Sequence, residues 1–86
     1  MENTISEEKL KKYFSVTENA LKEVKKNIIS GKEGYAKEII EMVENYVSDA
    51  RHFYEKLDFV NAFAALNYAH GWLDSGVRLD IFDVHD

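Results

Sequence analysis

Asn67, His70, Asp74 and Arg78 step 3, 4 and 4 along the stretch NYAHGWLDSGVR, and no other residues of this 86-residue chain are better spaced for chemistry. On a helix these four share one edge, because residues three and four apart are surface neighbours. Asp74 then reaches both His70 and Arg78. Such a strip suits a small polar pocket in which Asp74 orients His70 as a base while Arg78 holds an anion. It equally suits a ladder of structural contacts at a helix edge, with His70 partly buried and hydrogen-bonded. His70 is flanked on its face by Phe63 and Val77, and no nucleophile, second base or phosphate-cradling glycine loop stands nearby. The structural ladder is therefore the expectation, and no residue is assigned a catalytic role.

Metal chemistry has weaker support. Asp49, His52 and Glu55 step by three, but they fall on the polar face of their helix. A paired His or a Glu-x-x-His repeat on two helices, which would converge on an ion, is missing. The ending DVHD carries acids and a His in what reads as a short tail. No metal and no cofactor is expected.

The elements that must position these residues follow from composition and periodicity. The chain is 45% hydrophobic and 31% charged, which is globular, and its length allows one domain with one core. It has no proline and four glycines, fitting long helices with short connections. It has no cysteine, which suits a reducing cytoplasm. No apolar run is long enough for a membrane span, and MENTISEEKLKK is too charged for a signal peptide. The net charge is −5 and uneven: residues 1–37 hold eight Lys against six Glu, whereas 38–86 hold ten acids against three bases. An acid excess repels phosphate backbones, so nucleic acid is not an expected partner.

Three runs repeat apolar residues in alternating steps of three and four. They are Leu10, Phe14, Thr17, Leu21, Val24 and Ile28; then Ala36, Ile39, Val43, Tyr46, Ala50, Phe53 and Leu57; then Phe59, Ala62, Leu66, Ala69, Leu73 and Gly76. Ser6 and Asp58 are placed as N-caps, and SGKEG breaks the first run. This predicts an all-α antiparallel three-helix bundle with helices near 6–30, 34–57 and 58–80. A flexible N-terminus (1–5) and C-terminal tail (81–86) would flank it. Lys11, Lys22, Lys25 and Lys26, with Glu18 paired to Lys22, read as a solvated flank of the first helix.

The third helix is more apolar than its neighbours require. Eleven of the fifteen residues from Phe59 to Leu73 are apolar. Sorted at about 100° per residue, Phe59, Ala62, Phe63, Ala65, Leu66, Ala69, Trp72, Leu73 and Val77 fall on the core arc. On the other arc Ala64, Tyr68, Gly71 and Ser75 step 4, 3 and 4, and three of these four are small. Small residues at that spacing admit a second backbone, so this face is a candidate interaction surface.

Tyr68, Ala69, Gly71, Leu73, Asp74, Gly76, Val77 and Arg78 form a pattern that resembles the archaeal family catalogued as domain of unknown function 357. The resemblance covers nearly the whole chain and is most distinctive in the third helix. It implies a small three-helix bundle and no activity. Relatives attached to nucleotidyltransferase-like domains would imply an accessory role beside nucleotide enzymes. The expected function is a non-catalytic, cytoplasmic interaction module that docks a protein partner or pairs as a homodimer through the third helix. The alternative is a nucleotide- or small-ligand-associated accessory domain that uses His70, Asp74 and Arg78.

Overall fold

Ser6 opens the first helix by accepting a hydrogen bond from the Lys9 amide at 3.1 Å, with Glu7 and Glu8 set in the first turn where the helix dipole favours them. The computed structural model describes residues 5–85, and within them the helices are α1 (Glu7–Lys26), α2 (Glu33–Glu55) and α3 (Phe59–Arg78). Residues 1–4 of the expected flexible N-terminus lie outside the described residues, while Ile5 packs against the core. Asp58 caps α3 by accepting from the Asn61 amide at 3.3 Å and from the Asn61 side chain at 2.7 Å.

The α2–α3 connection is as short as the abutting runs require. Leu57 adopts a left-handed conformation (φ 62°), and the Asp58 amide reaches back to the Phe53 carbonyl at 2.8 Å. This closes the last turn of α2 and reverses the chain within three residues. Consecutive helices are antiparallel and α1 runs parallel to α3, so the architecture is the expected three-helix bundle. It measures 45 × 23 × 20 Å.

Helix α3 is the central element, packed most extensively on α2 and also on α1. Its buried side is rich in small side chains: Ala62, Ala65 and Ala69 are buried on α3, Ala36 and Ala50 on α2, together with Val43, Leu66 and Leu73. Small residues draw the α2 and α3 backbones together, and large aromatic rings are left at the rims. Phe53, Phe59 and Phe63 are accordingly only half-buried, and Trp72, expected in the core, remains 38% exposed. Helix α1 leans on this pair with Leu10, Thr17 and Val24 fully buried.

Two expectations are corrected at the chain's turns. Helix α1 ends at Lys26, four residues early, so Ile28 is not its last heptad position. Residues 27–29 leave the helix instead, and residues 81–83 run back alongside them. The Ile29 amide donates to the Ile81 carbonyl (3.0 Å), the Asp83 amide donates to the Asn27 carbonyl (2.7 Å), and Ile28 and Phe82 form a bridge. The expected flexible tail is thus a strap whose first two residues, Ile81 and Phe82, are core residues at 7% and 2% exposure. Asp80 in a left-handed conformation (φ 57°) turns the strap, and the Ile81 amide caps the Gly76 carbonyl at 2.8 Å. Gly76 is required here, because a Cβ at this position would lie 2.6 Å from Phe82 Cδ2.

The lysine flank also differs from expectation. Glu18 pairs with Arg51 rather than Lys22, and Lys25 pairs with Glu44 at 2.8 Å, so both ion pairs tie α1 to α2. Each is partly exposed and contributes at most about 1 kcal/mol.

Candidate functional site

The polar strip lies where α1 crosses α3, and two of its four members are bonded across that crossing. The Tyr13 hydroxyl donates to Asn67 Oδ1 at 2.8 Å. His70 stacks on the Tyr13 ring at 4.7 Å between centroids, and its Nε2 lies 2.7 Å from Thr17 Oγ1. Thr17 Oγ1 also lies 2.9 Å from the Tyr13 carbonyl. A carbonyl only accepts, so the single Thr17 hydroxyl proton goes there, and Nε2–H of His70 must donate to Thr17. That assigns the Nε2–H tautomer to the neutral ring and leaves Nδ1 as an acceptor.

A hydroxyl beside an imidazole has the parts of an activated nucleophile, but the geometry is unfavourable for that use. Thr17 is wholly buried and its proton is committed to the backbone. Among the described residues, no buried side-chain polar atom lacks a partner. The pair works as an interhelical bond that fixes the register of α1 on α3.

Asp74 and Arg78 do not join it. Both are exposed, and among the described residues no ion pair or hydrogen bond links Asp74 to His70 or to Arg78. The expected ladder is corrected at this point: His70 turns toward Thr17, and the two charges stay in water, where separate solvation opposes pairing. Asp74 still acts at a distance. Burial pushes the His70 pKa down, and the Asp74 carboxylate partly offsets it.

The direction of that shift sets a pH dependence. The unfolded imidazole protonates near its ordinary value of about 6.5, and the folded one protonates lower. Between the two values the unfolded state binds more protons, so stability holds above about 6.5 and falls as pH drops through that window. Urea denaturation from about pH 8 to about pH 5 should show this fall, flattened in His70→Gln. An unchanged slope in the variant would assign the titration to another group.

Asn67 apart, the strip borders a concavity of about 540 Å³ between the C-terminal halves of α1 and α3. His70, Asp74, Arg78 and Glu23 stand over a floor that includes Val24, Leu73 and Val84 of the strap. Two carboxylates face one guanidinium, a balance that does not favour an anion. Asp49, His52 and Glu55 are all exposed on α2, and among the described residues no group of three acids or histidines converges as a metal site would.

The second candidate surface is the outward arc of α3. Tyr68 is 63% exposed, Gly71 and Ser75 are exposed, and Ala64 is half-buried. A Cβ at Gly71 would have no neighbour within 4 Å, so the bundle itself does not need this glycine. The exposed apolar surface extends beyond these four residues, toward α2, through Trp72 and Leu79. The sequence places Leu79 toward the end of this face but counts Trp72 as core, so the part formed by Trp72 was missed. Tyr13 and Thr17 were also missed as partners of the strip, although a threonine in an apolar heptad position was a usable signal for one.

Fold and site together define an all-α bundle with a small-residue seam, a histidine-bonded helix crossing and an uncovered outer face on α3. The chain belongs to the family described as Protein of unknown function (DUF357), whose model matches residues 12–82. The match takes in all of α2 and α3, most of α1, and the strap as far as Phe82. No curated protein and no solved structure matches the chain. No helix among the described residues is long and apolar enough to cross a membrane.

Proposed function

We propose that this protein is a non-catalytic interaction module whose contact surface is the outward arc of α3, centred on Ala64, Tyr68, Gly71 and Ser75. The observation that carries this is the pairing of an unneeded glycine with large exposed apolar side chains. A Cβ at Gly71 would face open space, while Tyr68 and Leu79 on the same side are 63% and 67% exposed. Glycine inside a helix costs about 1 kcal/mol relative to alanine, so its use there favours a role outside the monomer. Clustered apolar exposure on a small protein marks a surface that another polypeptide covers.

A second copy is the simplest occupant, with two α3 helices meeting about a two-fold axis and burying the same patch twice. Gel filtration coupled to light scattering at micromolar concentration tests this. The expected mass is twice the 10.0 kDa of the chain. A monomeric mass would leave the face to a different protein.

The concavity beside His70, Asp74 and Arg78 supports a second reading, a small-ligand accessory domain. A saturable thermal shift with a nucleotide, abolished in Arg78→Ala, would move the function to that cavity. The structural engagement of His70 with Thr17 favours the interaction module.

A further inference from the structure

The apolar side chains that α3 exposes toward α2 form one wall of a groove. Trp72 and Leu79 of α3, Tyr35 and Met42 of α2, and Ile81 of the strap enclose about 510 Å³. Tyr35 is 60% exposed and Leu79 67%. One turn back along α3, Tyr68 stacks on Tyr46 at 5.4 Å and prolongs the apolar strip. From Tyr68 to Leu79 the strip runs roughly 16 Å, about three turns of helix. The charged residues that line the groove are Glu38 and Glu41, both acids, in the portion of the chain with ten acids against three bases.

We infer that this groove docks an amphipathic helix of a partner protein, with Lys or Arg flanking its apolar face. This rests on α3 being the contact helix; the groove shares Tyr68 and Leu79 with the outward arc, but it extends over α2 and takes a different occupant. An apolar groove with an acidic rim selects an apolar stripe with basic flanks, because burial supplies affinity and the rim supplies orientation and rejects acidic competitors. A second copy cannot supply such a helix. Most lysines of this chain are on α1, and its inward stripe of Leu10, Thr17 and Val24 is already buried in its own bundle. The strap belongs to the site, since Ile81 forms part of the wall.

Trp72 is the only tryptophan and stands in the groove, so its fluorescence reports occupancy directly. The probe is a synthetic Leu/Lys amphipathic peptide of about 18 residues, with a Leu/Glu peptide of the same pattern as the opposing arm. The Leu/Lys peptide should give a saturable blue shift and the Leu/Glu peptide none. Glu38→Lys with Glu41→Lys should weaken binding at least about tenfold, while Asp49→Lys with Glu55→Lys, exposed on α2 away from the groove, should leave it within about twofold. Absence of a saturable shift, or equal loss in both charge-reversed proteins, would overturn the assignment. A wild-type dimer that ignores the peptide would overturn the groove alone and leave the outward arc of α3 as a contact surface.

Discussion

Phe82→Ala is expected to destabilise the protein by about 3–5 kcal/mol, although the residue lies outside the three helices. The ring is 2% exposed and rests against Gly76, where no side chain could fill the space it vacates. Its loss also loosens a strap bonded to the α1–α2 connection through Ile29 and Asn27. Small domains hold about 5–15 kcal/mol in total, so this single truncation removes a large share. Urea titration followed by circular dichroism measures it, with the midpoint shift converted through the wild-type slope. A cost below about 1 kcal/mol would mean that the strap adds little to the core.

Leu66→Ala is expected to cost about 2–5 kcal/mol. Leu66 is fully buried in the middle of α3, and the side chains around it include alanines that cannot extend to fill a void. The cavity would therefore persist rather than collapse, which places the cost toward the upper part of the range. Calorimetry reads it as a fall in melting temperature of about 4–8 °C per kcal/mol for a domain of this size. A variant melting within a few degrees of wild type would contradict this account of the seam.

How much of this was legible in the sequence depended on what each residue had to satisfy. Three-four stepping placed Val43, Leu66, Ala69 and Leu73 correctly, because periodicity alone decides which face of a helix is inward. Ser6 and Asp58 were legible because their caps act within three residues. Ile28 was not: stepping continued through it, while its partner Phe82 lies far along the chain and contributes no local signal. Trp72 showed the limit of angular sorting, since the angle placed it inward but the alanine seam left no room for an indole. The polar strip was half legible. His70 was rightly expected to be hydrogen-bonded, but its partner came from α1, beyond the reach of an i to i+4 argument.

The two buried or helical glycines of α3 separate packing from contact. Gly76 is held by Phe82, and any substitution there must displace the ring. Gly71 faces open space, so its replacement by leucine should leave the bundle intact and raise helix propensity. The most direct measurement of the central claim compares wild type with Gly71→Leu by light scattering and thermal melting. The account predicts a wild-type dimer, and a variant that is monomeric with an equal or higher melting temperature when both are compared as monomers at low concentration. A variant that remains as dimeric as the wild type, or a wild type that is itself monomeric, would contradict pairing through this face of α3.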